Sequence, residues 1–181
     1  RYTKAFNKNA QEQFTQYKMA LKSGDPSVKV NAVAVYPYDI VKTVRYGDSA
    51  LADSQWEALP NYLGDAMVLP LVDVSGSMTC PAGGFASKSG TSCLDVAVSL
   101  GLYLAEKNTG SFKDTFLTFS SNPELLHLNG NIVEKAAQMA TSKWEMSTNL
   151  HAALDKVLST AVKGNVPQED MPKMLLILFI Q

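Results

Sequence analysis

The strongest limit on the fold of this chain comes from residues 66–72, an almost uninterrupted apolar run. Such a short run without polar alternation is typical of a strand buried on both faces, as in a parallel sheet covered by helices. A polar loop follows, and residues 92–108 are then apolar almost all round, which predicts a buried helix. Ser92 and Asp95 have the spacing of a capping box at the start of that helix.

Strand and helix patterns alternate through the rest of the chain. Residues 115–119 predict a second strand, which could pair with residues 124–128 as a hairpin. Two helices are predicted around residues 132–140 and 150–161, and residues 174–180 predict a last strand. This alternation predicts an α/β fold with a doubly wound, mostly parallel sheet and helices on both faces, wound right-handedly.

The first 62 residues differ from the rest and are predicted to be helical. Pro37 could open one helix, and a further short segment contains Trp56. A stripe at helical spacing precedes them and consists of Phe6, Ala10, Phe14, Tyr17 and Leu21. We predict a helical extension over residues 1–62, either the tail of a larger helical region or a brace, and a separate domain over residues 63–181.

Composition narrows the classes of partner. Sixteen Lys and Arg against seventeen Asp and Glu leave a net charge of −1, so no cationic excess indicates a nucleic-acid surface. No apolar run is long enough to cross a bilayer, and the start does not look like a secretion signal. We therefore expect a cytoplasmic protein without a membrane partner. Because residue 1 is Arg and not Met, we expect the natural N-terminus to lie before it.

Two cysteines, Cys80 and Cys93, bracket a loop rich in glycine and serine. We expect a reduced pair in a cytosolic protein, and a disulfide that closes the loop is the main alternative. A zinc site is not indicated, because two cysteines without a nearby histidine supply too few ligands.

Asp73, Ser75 and Ser77 directly follow the first predicted strand. Ligands of parallel sheets bind beyond the carboxyl ends of the strands, and Gly76 allows the tight bend that turns alternate side chains toward one point. One carboxylate and two hydroxyls are oxygen ligands, which suit a hard cation such as Mg²⁺. Because the hydroxyls are neutral, the ion would keep most of its charge and could accept a carboxylate from a partner.

The sequence of this 73–77 loop, D-V-S-G-S, resembles the D-x-S-x-S signature of von Willebrand A domains, which begins their metal-ion-dependent adhesion site. The resemblance implies the Rossmann-like fold of that family. It also implies Mg²⁺, or else Mn²⁺ or Ca²⁺, as the cofactor. Its implied metal ligands are Asp73, Ser75, Ser77 and Thr148.

The ligands that this implied site would take from outside the 73–77 loop are less well matched by the sequence. Ser147 competes with Thr148 for the role of ligand, and either residue could instead be the N-cap of the following helix. The family also places an Asp after a later strand, where this chain has Phe179, Ile180 and Gln181. We therefore expect a site without its second carboxylate, a weakened affinity for the cation, and a fold that lacks its C-terminal part.

A wider set of segments resembles an uncharacterised plant- and phage-type family of A-domain proteins. The segments are residues 72–78, 99–108, 112–120, 144–149 and 170–173. That family is related in layout to the Ro autoantigen (TROVE) proteins, in which a helical ring closed by an A domain binds RNA. The resemblance implies that RNA is a possible partner of the full-length protein.

We therefore expect a binding module and not an enzyme. The first hypothesis is a metal-assisted protein-interaction module that accepts an acidic group from a protein partner. An RNA-binding protein of Ro type and a metal-free structural scaffold are the alternatives. A dehalogenase-type phosphotransferase would need an acid where Ser75 stands, and a serine hydrolase would need the G-x-S-x-G motif. For His151 we expect a solvent-facing position or one beside the helix cap.

Overall fold

The computed structural model describes residues 2–32, 34–47, 49–84, 90–140 and 149–178. In this part of the chain, seven α-helices accompany one four-stranded sheet, so the predicted α/β class is confirmed. The helices are α1 (Tyr2–Asn9), α2 (Gln11–Lys22), α3 (Pro37–Tyr46), α4 (Ala52–Glu57), α5 (Cys93–Lys107), α6 (Ile132–Ala140) and α7 (Leu150–Lys163). The strands are β1 (Val68–Asp73), β2 (Thr115–Phe119), β3 (Leu125–His127) and β4 (Met174–Leu178).

The sheet is small and mixed, with strand order β3-β2-β1-β4. The central strand β1 pairs in parallel with β2 on one side and with β4 on the other. The predicted hairpin is confirmed, since β3 runs antiparallel to β2 with His127 opposite Thr115. Pro70 lies within β1, and the pairing of β1 with β2 begins only after it, at Leu71 opposite Leu117. The mostly parallel character is therefore limited to three strands.

Both faces of β1 are covered, which explains why all six of its residues are buried. On one face, Val72 belongs to the same apolar cluster as Ala97 and Leu102 of α5. On the other face, Leu71 clusters with Ala153 and Val157 of α7. Successive residues of a strand point to opposite faces, so a strand between two helices needs an unbroken apolar sequence.

The helices before the sheet share its first core. Ile40 and Val41 of α3 and Trp56 of α4 are buried in the cluster that contains α5. Trp56 packs edge-on against Tyr103 of α5, with ring centroids 6.4 Å apart. The hydroxyl of Tyr103 also donates to the carbonyl of Pro60, which fixes the segment between α4 and β1. Helices α3 and α4 therefore pack directly on the α/β unit.

Two local differences from the predicted pattern appear in the helices. The apolar stripe predicted for the first helix is split at Ala10 into α1 and α2, and Phe14 stacks on Phe6 and Tyr17 on either side of it. By contrast, α5 has the predicted capping box between Ser92 and Asp95. Among the described residues, none of the helices has the length and apolar character needed to cross a membrane.

Candidate functional site

The 73–77 loop leaves the carboxyl end of β1 in a tight bend. The backbone N–H of Ser75 donates to Oδ1 of Asp73 at 2.8 Å, so the carboxylate of Asp73 closes a local turn and is only 8% exposed. A short 3-10 helix follows over residues Gly76–Thr79, in which the hydroxyl of Thr79 donates to the carbonyl of Gly76 at 2.7 Å. The loop is therefore held by hydrogen bonds within itself.

The two serine hydroxyls of the loop lie side by side. Oγ of Ser75 and Oγ of Ser77 are 2.9 Å apart, which is the distance of a hydrogen bond. Ser77 is exposed and Ser75 is partly exposed, so both hydroxyls can reach a ligand from solvent. The structure thus brings together the two predicted hydroxyls next to the predicted carboxylate of Asp73.

These donors do not amount to a metal centre in the part of the chain that the structure describes. They include one carboxylate, and no group of three or more His, Cys, Asp or Glu residues that could hold a metal ion occurs among the described residues. Thr148 and its competitor Ser147 lie outside the described residues, as do Phe179, Ile180 and Gln181. The described residues therefore give no evidence of a metal-binding site, the set of Asp73, Ser75 and Ser77 with Thr148 stays a prediction, and no step of the proposed function depends on an ion.

The start of α7 lies at the same edge of the sheet as the loop. Asn149 is the N-cap of α7, and its Oδ1 accepts the backbone N–H of Ala152 at 3.0 Å. The N–H of Asn149 donates to the carbonyl of Ser120, the residue after β2, at 3.2 Å. Since β2 lies beside β1 with Phe119 opposite Asp73, the carboxyl edge carries both the 73–77 loop and the first turn of α7. The sequence reasoning missed Asn149, although an Asn before an apolar helix is a common cap.

The contacts of the two histidines are with other residues than the loop serines. His127 lies on β3 with Nδ1 3.2 Å from the hydroxyl of Thr115, at the amino end of β2 and so at the opposite edge of the sheet. Nδ1 of His151 lies 3.1 Å from Oδ2 of Asp155, and both side chains are exposed. The solvent-facing position expected for His151 is confirmed. Among the described residues, the serine hydroxyls therefore have no histidine beside them to act as a base.

An exposed apolar row runs along α7 from this edge. The buried side of the helix is narrow and consists of Ala153, Val157 and Ala161. The next row, at a spacing of four residues, is in solvent and consists of Leu150 (43% exposed), Leu154 (51%), Leu158 (59%) and Val162 (68%). The sequence pattern showed both rows. The sequence did not indicate which of the two rows packs against the sheet.

The comparisons with known proteins point to one family. A family model described as a domain of unknown function (DUF7788) matches residues 68–179, which is more than half of the chain. The chain is also 30% identical to an uncharacterised protein of Acanthamoeba polyphaga mimivirus over 181 aligned residues, which cover 95% of this chain and 29% of that relative. The chain therefore spans less than a third of the length of this relative. No solved structure matches the chain.

These findings correct the resemblance to von Willebrand A domains. The model that matches residues 68–179 is that of a different family, and the small mixed sheet is not the sheet that the resemblance implied. The label of an adhesion-type site and the relation to Ro (TROVE) proteins, both taken from that resemblance, are wrong for the same reason. The D-x-S-x-S signature was too short to identify a family, because a strand followed by a serine-rich turn occurs in many α/β proteins. The chain belongs to the DUF7788 family.

Proposed function

We propose that this chain is a protein-binding module, and that its partner docks at the carboxyl edge of β1 and β2. The observation that carries the proposal is the exposed row of Leu150, Leu154, Leu158 and Val162 on α7. Burying apolar surface is favourable by roughly 25 cal/mol per Å², and contiguous exposed apolar surface marks interaction sites.

The shape of the row favours a helix as the partner's docking element. Residues four apart form a ridge along a helix, and such ridges pack into the grooves of a second helix. Leu150 begins the row at the edge where the exposed hydroxyls of Ser75 and Ser77 also lie. An interface with apolar contacts along α7 and polar contacts at the loop has the usual division between core and rim. The two hydroxyls can donate to an acidic group of the partner.

Binding is a better account of the loop than catalysis. The Asp73 carboxylate accepts a backbone N–H within its own turn, and the two serine hydroxyls pair with each other. A nucleophilic serine requires a base within hydrogen-bond reach, and the histidines His127 and His151 are engaged elsewhere. Among the described residues, the loop therefore offers hydrogen bonds to a partner, and its serines have no hydrogen bond to a histidine.

The test is to select peptides from a displayed random library on the immobilised chain. We expect enriched peptides with apolar residues at helical spacing and an acidic residue at one end. Leu154→Ser should weaken their binding by roughly tenfold or more, as for a residue at the centre of an interface, and Ser77→Ala by a smaller factor. Ser159→Ala, an exposed change on the same helix, is the control. Peptides that bind the wild type and Leu154→Ser equally, or no enrichment at all, would overturn the proposal and favour a scaffold.

The predicted cofactor is a separate question. Mg²⁺, Mn²⁺ or Ca²⁺ at Asp73, Ser75, Ser77 and Thr148 stays a prediction, because Thr148 lies outside the described residues. Calorimetric titration of the chain with each ion, with Asp73→Ala as the control, measures it. Equal heats in the two proteins, or none in either, would contradict this cofactor.

Three further expectations also stay predictions. The first is the doubly wound arrangement of the sheet, and the packing of α5 on one face and α7 on the other is the observation in its favour. RNA as a partner of the full-length protein would appear as salt-dependent binding of RNA. A cytoplasmic location can be checked by fractionation of cells.

A further inference from the structure

The two cysteines, which are distant in sequence, lie together in the structure. Cys80 follows the 3-10 helix after the 73–77 loop, and Cys93 is the first residue of α5. Their sulfur atoms are 3.4 Å apart, and both are free thiols. The proximity is fixed by the backbone, since the N–H of Cys93 donates to the carbonyl of Cys80 at 2.9 Å.

A short antiparallel pairing extends this contact. Pro81 and Ser92 form an isolated antiparallel bridge, and the N–H of Ala82 donates to the carbonyl of Thr91 at 2.8 Å. The two segments are therefore held beside each other independently of the thiols. To form a disulfide, the sulfurs must approach by roughly 1.4 Å, to a bond length of about 2.05 Å.

The two thiols differ in reactivity. Cys93 is buried, with 2% of its surface exposed, whereas Cys80 is partly exposed. The hydrogen bond with Cys80 and the burial of the side chain both raise the pKa of the Cys93 thiol. The more accessible thiol meets an oxidant first, and of the two it is Cys80.

We propose that Cys80 and Cys93 are a redox modification site that closes into an intramolecular disulfide when the protein meets a small disulfide oxidant such as oxidised glutathione. The Cys80 thiolate attacks one sulfur of the oxidant, whose S–S bond breaks and releases one glutathione thiolate. Cys93 loses its proton to solvent and attacks the Cys80 sulfur of the mixed disulfide, which releases the second glutathione thiolate. Two protein thiols are oxidised, and one glutathione disulfide is reduced to two thiols.

The experiment uses the native chain, which has two cysteines, so its products are unambiguous. The protein is incubated with oxidised glutathione without denaturant, remaining thiols are blocked with a maleimide, and the intact mass is measured. We expect a monomer that has lost both reactive thiols and carries no glutathione. Trypsin should cleave after Lys88, between the cysteines, and the two resulting peptides should stay joined until a reductant is added.

Two variants resolve the order of the steps. Cys93→Ala should accumulate a stable glutathione adduct on Cys80, because the resolving thiol is gone. Cys80→Ala should leave Cys93 largely unmodified, because it is buried. A wild-type chain that keeps both thiols, or that carries a glutathione on each, would overturn the proposal. If a variant fails to fold, the joined peptides of the wild type decide the question alone.

Discussion

At the scale of single residues, Lys135 shows how the chain accommodates a buried charge. Its ammonium lies 2.8 Å from Oε2 of Glu106 and 2.7 Å from Oδ1 of Asp114, and the lysine is 7% exposed. The three residues belong to α6, α5 and the turn before β2, so the cluster ties these elements together. Burial by itself lowers the pKa of Lys135, but its hydrogen bonds to Asp114 and Glu106 outweigh burial and raise that pKa.

We expect Lys135→Met to lower the free energy of unfolding by about 1–3 kcal/mol at pH 7. The variant leaves two neighbouring, partly buried carboxylates without their counter-charge. The measurement is urea denaturation, and Lys113→Met, a change at an exposed lysine, serves as the control, with an expected effect below about 0.5 kcal/mol. Equal losses in the two variants would contradict the assigned role of the cluster.

The same cluster predicts a dependence on alkaline pH. Because folding raises the pKa of Lys135 above its ordinary value of 10.5, its stabilising contribution is complete below that value. The contribution is lost as the pH rises through the raised pKa of the folded state. We therefore expect the difference in unfolding free energy between wild type and Lys135→Met to be constant from pH 7 to 9 and to shrink above pH 10.5. A difference that grew with pH would contradict this sign.

At the scale of the elements, α7 is a helix with two apolar sides and only one of them packed. The packed side consists of small residues against the sheet, and the larger leucines face solvent. A surface helix normally turns its large apolar residues inward. Because the leucines of α7 face solvent, they contribute little to the free energy of folding. The structure therefore separates residues of α7 that stabilise the fold from residues that are available to a partner.

We expect this separation to be visible in two substitutions of similar size. Val157→Ala should cost about 1–2.5 kcal/mol of unfolding free energy, because it removes buried methyl groups. Leu154→Ala should cost less than about 0.5 kcal/mol, since its side chain is half exposed. Thermal and urea denaturation of both variants measure the difference. The reverse order of stabilities would show that the leucine row, and not the valine row, faces the sheet.

Local patterns were enough to find most of the elements. The pattern of apolar residues predicted α5, β2 and α7. The spacing of Ser92 and Asp95 predicted the start of α5, which the structure confirms. The break at Ala10 could not be predicted, because alanine is a good helix former. Pro70 argues against a central strand, yet β1 accommodates it because β2 pairs only beyond it.

The candidate site could be predicted only where its residues are neighbours in the sequence. Asp73, Ser75 and Ser77 meet because they share one turn, and a turn is encoded by neighbouring residues. The contact of Cys80 with Cys93 depends on pairing between two segments that are separated along the chain. The choice between the two rows of α7 likewise depends on tertiary packing, which no local period specifies.

At the scale of the whole molecule, the described part of the chain has two apolar cores, one on each face of the sheet. The larger contains residues from α3, α4, α5 and α6, and the smaller lies between the sheet and α7. Helices α3 and α4 contribute Ile40, Val41 and Trp56 to the larger core. The division between residues 62 and 63 stays a prediction, and residues on both sides of it contribute to the larger core.

We expect a fragment of residues 63–181 to fold poorly by itself. In this fragment α5 and α6 would expose the apolar surface that Trp56 and its neighbours cover. A small domain has little stability to spare, so the loss of this buried surface should be severe. Circular dichroism during heating and binding of a hydrophobic dye measure this. Removal of residues 2–9 alone is the control and should leave a cooperative transition. A fragment as stable as the whole chain would show that the N-terminal helices are dispensable.

The position of β1 between β2 and β4 sets an order of events during synthesis. A ribosome completes β1 and β2 before β4, since the parallel neighbour on the other side of β1 begins at Met174, about a hundred residues after β1. Residues Val68 to Pro70 pair with β4 and not with β2, so this half of the strand has no partner until β4 emerges. Long-range parallel pairing is slow, and an unpaired apolar edge is prone to aggregation. The nascent chain therefore carries an incomplete sheet while the roughly one hundred residues between β1 and β4 are made, and helices α3 to α6 are available to shield one face of it in the meantime.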